Sequence, residues 1–233
     1  MMNIEKIGII GAMDIEVEQF KQEMRSPQSE IISGIEFVSG KLWGRDTVIA
    51  VSGVGKVNAA ICTQTMILNF NPSCIINSGV AGGLEPSLSI CDVVVANSVV
   101  QHDMDTSPLG DPVGYISGLD IVDIPCDNDI CQALFQSAQE NGIHSLTGKI
   151  ASGDQFINSS SKKEWLSKTF DAFACEMEAA AIGHVAYKNG VPFGILRSIS
   201  DNADGSSHVS YTEFVNMAAE NLFNVMKAFY TKL

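Results

Sequence analysis

Few side chains in this sequence combine reactive chemistry with an apolar setting, and most that do are carboxylates. In FACEMEAAA (173–181) two glutamates, Glu176 and Glu178, stand where an alanine-rich helix is expected to begin. Burying an unpaired charge is costly, so such groups are partnered, solvated or in use. Helix capping is the plainest account, because acidic side chains favour a positive N-terminal end. Residues two apart on a helix point about 200° away from each other, so the pair is expected to divide between two environments. Asp14, Glu16 and Glu18 open another helix directly after the KIGIIGAM run. Asp201 follows the apolar stretch FGILRSIS, where capping a turn through Asn202 and Asp204 would account for it equally well. Arg197 lies inside that stretch, and a buried arginine needs an anionic partner. Glu16, Glu178 and Asp201 thus sit on segments that one sheet can bring together, with Arg197 close by. Separate carboxylates in distinct environments suit acid and base roles at one pH.

Other chemistries are poorly supported. The six cysteines are scattered, with no CxxC pair, and several lie in apolar runs where a thiol behaves as a small hydrophobe. They imply a reducing, cytoplasmic setting. His102 in QHDMD could join Asp103 and Asp105 at a metal, but a polar loop is the better account, and no metal site is expected. SGVGK (52–56) resembles the tail of a P-loop, yet Ala50 and Val57 break that pattern. GVAGG (79–83) lacks dinucleotide spacing. Its glycines still allow close backbone approach to a flat ligand, or they simply form a tight strand-to-helix turn.

The elements that must position these groups read as short apolar runs alternating with helical periods. Strands are expected at 6–12, 47–51, 74–80, 92–100, 148–152 and 193–200, and helices from Asp14 to about Met24 and from Lys56 to Leu68. Continuous Val/Ile runs suggest strands covered on both faces, as in α/β folds. Ser210 and Glu213 form a capping-box pattern ahead of Phe214, Ala218, Leu222, Val225 and Phe229 on one face. Ser161 and Glu164 repeat the pattern. No linker, repeat or low-complexity tract interrupts the chain, so residues 1–233 are expected to form one domain. The glycine- and proline-bearing segment 101–118 is a candidate lid or subunit contact.

Composition narrows the partners. Hydrophobic residues make up 45 % of the 233 residues and charged ones 18 %, ample material for a core. The net charge of −13 disfavours nucleic acid and anionic membrane surfaces. No apolar run approaches the roughly 18 residues that read as a membrane span.

In their order and spacing, IGIIGAMDIEVE, INSGVAGGL, SGDQFI, EMEAAAI and RSISDNAD resemble the 5′-methylthioadenosine/S-adenosylhomocysteine nucleosidases. The likeness runs from about Lys6 to the last helix. It implies the nucleoside phosphorylase fold, a three-layer α/β/α sandwich around a mixed, partly barrel-like sheet. It also implies hydrolysis of the bond between adenine and ribose, with a small-molecule nucleoside as substrate, no cofactor, and a homodimer. By this resemblance Glu16 activates water and Asp201 donates a proton toward N7 of adenine. Glu178 holds the ribose hydroxyls beside Met177, Phe156 stacks on adenine, and the backbone of Ile157 reads its edge. Gly82 gives backbone contacts, with Ala81, Val80 and Arg197 in support. Such roles fit a ribosyl-cation-like transition state, which calls for nearby anions and a protonated leaving group. Val80 departs from the pattern, standing where many members of the family carry a small hydroxyl residue.

Three rivals remain. A phosphorylase of the same fold needs cations for phosphate, and the glycine loops offer Asp14 and Glu16 instead, which repel a dianion. A hydrolase for a related modified nucleoside such as futalosine differs only in pocket contacts. A binding module without turnover would leave Glu16 and Asp201 idle.

Overall fold

The computed structural model describes residues 4–201, 203 and 207–233, the side chains of 207–213 excepted. The runs of Val and Ile become strands with no exposed face. β1 (Lys6–Gly11) lies between β4 (Arg45–Val51) and β5 (Cys74–Gly83), parallel to both. Ile7, Ile9, Ile10, Ile49, Ile75 and Ile76 are fully buried there. Full burial on both faces explains why these segments lack the alternation of a half-exposed strand.

β5 decides the topology because it has three neighbours. Its first residues pair with β1, Ile75–Gly82 run parallel to β10 (Phe193–Asp201), and Gly82–Gly83 pair antiparallel with β9 (Ala172–Glu176). β10 continues antiparallel to β6 (Val93–Gln101), β6 parallel to β8 (Ser145–Ser152), and β8 parallel to β9. The ring β5–β10–β6–β8–β9 therefore closes, while β1, β4, β3 (Ile35–Leu42) and β2 (Arg25–Ile32) extend from it as an open arm. The short β7 (Ile124–Pro125) adds to β6. Helices cover the sheet. α2 (Lys56–Phe70) packs on α5 (Ala179–Lys188), and α6 (Ser207–Tyr230) packs on β10, β5, α1 (Asp14–Glu23) and α3 (Asn128–Glu140). α4 (Ser160–Phe170) lies over β8 and β9. This is the mixed, partly barrel-like α/β arrangement expected from the sequence.

Several local expectations are corrected. The segment ending at Glu176 is the strand β9, and the helix starts only at Ala179. The two glutamates therefore escape the helical geometry that would separate them. β5 runs on through the glycine stretch, so no strand-to-helix turn forms there. The Ser161–Glu164 box does not form: α4 starts at Ser160 after Ser159, and Glu164 pairs with Lys168 instead. α6 begins at Ser207, ahead of the expected Ser210 cap, and the side chains of Ser210 and Glu213 lie outside the described residues, as does Asn202. The hairpin of β2 and β3 and helix α3 had no counterpart in the sequence reading. β2 is almost wholly exposed, so no apolar run announces it.

Candidate active site

The ends of β1, β5, β9 and β10 meet at one opening, and each delivers a carboxylate or a glycine. After Gly11 the chain turns through Ala12 and Met13 into α1, which places Glu16 at the third helical position. Its carboxylate reaches back to the orphan N–H groups of its own helix entry. Oε2 accepts from Ala12 N at 2.7 Å and Met13 N at 3.0 Å, and Oε1 accepts from Val80 N at 3.0 Å. Glu16 is buried, and burial pushes its pKa up, opposed by the nearby Arg197 charge and the three N–H bonds. Gly79 makes this approach possible. A β-carbon there would stand 2.5 Å from Glu16 Oε1 and 3.0 Å from Arg197 Nη1.

Arg197, fully enclosed in β10, forms the floor. Its Nη2 donates to Glu176 Oε2 at 2.7 Å and to Asn77 Oδ1, while Asn77 Nδ2 donates to the Ile10 carbonyl at 2.8 Å. Glu176 also accepts from Ser152 Oγ and from the backbone N–H groups of Glu178 and Ala179. It thus sits between a cation and a helix start, partnered as a buried charge must be. Arg197 was expected to partner a catalytic carboxylate; among the described residues its ion pair is with Glu176.

Glu178, two residues on, is the N-cap residue of α5, but its side chain makes no capping bond. Instead Oε1 accepts from Gly55 N at 2.8 Å, across the molecule. Burial, then repulsion from Glu176, lifts its pKa to about 7. Gly53 and Gly55 have φ of 82° and 99°, backbone that favours glycine, so SGVGK serves the site as a turn rather than as a phosphate loop. Asp201 ends β10 opposite Gly82; Oδ1 accepts from Ala203 N at 2.8 Å and Oδ2 from Ser200 Oγ at 3.1 Å. The turn through Asn202 and Asp204 read as the alternative account of this residue lies outside the described residues, and the carboxylate lines the cleft.

Glu16, Glu176, Glu178 and Asp201 line one cleft of about 670 Å³, counting its open mouth, within the range of small-ligand sites. Val80, Ala81, Gly82, Phe156, Ile157 and Met177 line it as well. Every residue given a role through the resemblance thus meets here except Arg197, which lies beneath, whereas Asp14, Glu18 and His102 do not line the cleft. The two glutamates of EME share this cleft, against the expectation that they divide. Phe156 is 54 % exposed at the mouth, whereas Ile157 is buried. Val80 loses a hydroxyl relative to the family pattern, but its backbone N–H still holds Glu16.

Sequence reasoning missed Ser152, Asn77, Val54 and Gly55. Ser152 and Asn77 lie in the quoted SGDQFI and INSGVAGGL but were given no role, and the glycine pair of SGVGK was set aside with the P-loop. The metal alternative dissolves: His102 is buried edge-on to Trp165, Asp103 pairs with Lys56 at 2.6 Å, and Asp105 accepts from Ser107 N. No cluster of three metal-ligating side chains occurs among the described residues.

Comparison with known proteins agrees with this fold. Residues 6–231 match the profile of the Phosphorylase superfamily, which defines the class. A 5′-methylthioadenosine/S-adenosylhomocysteine nucleosidase of Halalkalibacterium halodurans is 40 % identical over 98 % of this chain and 99 % of its own. The nucleosidase of that name from Neisseria meningitidis, solved with methylthio-immucillin-A, superposes with a TM-score of 0.95 at 33 % identity, covering 98 % of this chain and 100 % of the other. A futalosine hydrolase of Helicobacter pylori superposes at 0.92 with 36 % identity, covering 98 % of each. The chain belongs to the 5′-methylthioadenosine/S-adenosylhomocysteine nucleosidase family.

Proposed function

We propose that this protein, as one domain spanning residues 1–233, hydrolyses the N-glycosidic bond of 5′-methylthioadenosine and S-adenosylhomocysteine. The products are adenine and a 5-substituted ribose, which places the reaction in purine and methionine salvage. Glu16 takes a proton from water as the water oxygen bonds to the anomeric carbon. Asp201 delivers a proton to N7, so adenine leaves neutral. Glu178 accepts from the ribose hydroxyls and, with its charge, favours the cationic sugar of the transition state. Phe156 lies against the base, Ile157 meets its edge, Met177 packs on the sugar, and Gly82 and Ala81 let the ligand approach the backbone. Atoms and charges balance without metal or cofactor.

One observation carries the choice of water over phosphate. Among the described residues no lysine, arginine or histidine lines the cleft, and Arg197 below it is engaged by Glu176 and Asn77. Carboxylates without free cations repel a phosphate dianion. The test is adenine release from 5′-methylthioadenosine with phosphate rigorously removed and then restored. Equal rates with free methylthioribose as product are expected; release that requires phosphate would sink the reading. A second reading, hydrolysis of futalosine, draws on the likeness to the Helicobacter pylori hydrolase. Comparing kcat/KM for the two substrates separates them.

We also propose a cytoplasmic homodimer. All six cysteines are free thiols, as suits a reducing compartment. The packed pair α2 and α5 leaves Val57, Ile61, Leu68 and Tyr187 exposed, and Val54 and Phe156 expose apolar surface at the cleft mouth. Exposed apolar surface of this kind marks interaction faces.

A further inference from the structure

The first turn of α5 is capped in an unusual way. A helix start leaves its leading N–H groups without partners, and the N-cap side chain ordinarily accepts from one of them. Here the N-cap is Glu178, and its carboxylate accepts none of them. Ala179 N donates to Glu176 Oε2 at 2.8 Å, Ala180 N donates to Ser152 Oγ at 2.8 Å, and Ala181 N donates to the Glu178 carbonyl at 2.9 Å. The N–H of Glu178 itself donates to Glu176 Oε2 at 3.0 Å. Ser152, fully buried at the end of β8, donates its own hydrogen to Glu176 Oε1 and so fixes both acceptors at once.

We propose that Ser152 is a positioning residue. By capping α5 together with Glu176, it frees the Glu178 carboxylate to face the ligand. Without the Ser152 hydroxyl, Ala180 N loses its acceptor and Glu176 Oε1 loses its donor. The α5 N-terminus then carries an N–H without its acceptor, and the Glu178 carboxylate at its N-cap, held among the described residues by Gly55 N at 2.8 Å, is an anion that can answer it. Drawn back onto its own helix, that carboxylate leaves the sugar. Hydrogen bonds involving charged groups are the strong ones, so the competition is a real one.

This inference rests on the assignment of Glu178 to the ribose hydroxyls, and the experiment separates the two. kcat/KM is measured for 5′-methylthioadenosine and for its 2′,3′-dideoxy analogue with the wild type, Ser152→Ala and Glu178→Gln. The ratio between substrates within one enzyme is the readout, because any loss of folded protein cancels from it. For Ser152→Ala the preference for the hydroxylated substrate is expected to fall about tenfold, the scale of one charge-assisted hydrogen bond, with most of the loss in KM. Glu178→Gln is expected to lower it at least as far. A ratio that collapses in Glu178→Gln but stays at the wild-type value in Ser152→Ala overturns the positioning role alone. A ratio unchanged in Glu178→Gln overturns the assignment of Glu178 and the inference with it.

Discussion

The floor and the rim of the cleft hold the same kinds of side chain on opposite terms. On the floor, Glu176 accepts from Ser152, two backbone N–H groups and Arg197, and the same Nη2 of Arg197 also donates to Asn77. On the rim, Glu178 has one N–H bond, and Glu16 has three N–H bonds and no ion pair among the described residues. Burial raises the pKa of both rim glutamates, that of Glu178 to about 7. Burial alone would lower that of Arg197, but Glu176 and Glu16 more than offset it. The single guanidinium goes to the carboxylate that the proposed reaction does not use. Its field still reaches the other two, without an ion pair that would occupy their lone pairs.

The largest effect is expected from breaking the floor. Glu176→Gln leaves a fully buried guanidinium without its counter-ion, which costs about 3–5 kcal/mol in comparable buried pairs. Urea unfolding at pH 7 checks it. Adding Arg197→Met should recover most of the loss, since removing both charges is far less harmful than removing one. If Glu176→Gln unfolds at wild-type urea concentrations, the floor is not the firmly paired counterpart of the rim that the hydrogen bonds describe.

How far the sequence discloses this contrast differs between the two parts. The floor strands were legible because burial on both faces leaves continuous apolar runs, as in IGII and CIIN. Arg197 stood out inside such a run, and a need for an anion followed from its burial alone. Which anion was not legible. That depends on β5 pairing with both β9 and β10, a set of contacts between residues roughly ninety to a hundred and twenty positions apart. The backbone around Glu176 and Glu178 was misread because a strand end and a helix start were taken as one helix. FACE carries too few residues to announce a five-residue strand, and the alanines after it favour helix. The roles of Ser152 and Gly55 were not legible for a related reason: each bonds to the start of a helix that its own segment does not contain.

A smaller effect, with a sign that depends on pH, is expected on the rim. Below the ordinary glutamate value of 4.5, Glu178 is protonated whether the chain is folded or not, and its burial carries no ionic penalty. Between 4.5 and about 7 the unfolded chain ionises while the folded one resists, so stability falls as pH rises, and the penalty is complete above about 7. At 1.36 kcal/mol per pKa unit, the full penalty is roughly 3 kcal/mol. Glu178→Gln removes it and weakens the bond from Gly55, which returns about 1 kcal/mol. The variant should therefore be more stable than the wild type by roughly 2 kcal/mol at pH 8 and no more stable at pH 4.5, while losing turnover. Urea titrations at the two pH values measure it. Equal differences at both would mean that the Glu178 carboxyl is not strained by its surroundings.

The smallest effect concerns Asp201, whose position is shared between floor and rim. Its Oδ1 is held by Ala203 N at 2.8 Å, and its Oδ2 by Ser200 Oγ at 3.1 Å. Ser200 Oγ also lies 3.4 Å from the Ala81 carbonyl, so the hydroxyl hydrogen has two acceptors to choose from. Ser200→Ala removes a single long bond while leaving the backbone clamp on the other oxygen. The loss of stability should be about 1 kcal/mol. If Asp201 hands a proton to adenine, freeing its second oxygen should lower kcat about fivefold through looser aim, with KM for 5′-methylthioadenosine unchanged. A rise in KM at constant kcat would instead place Asp201 among the groups that merely hold the ground state. The rim would then contain one reacting carboxylate, Glu16, and the protonation of the base would have to come from water.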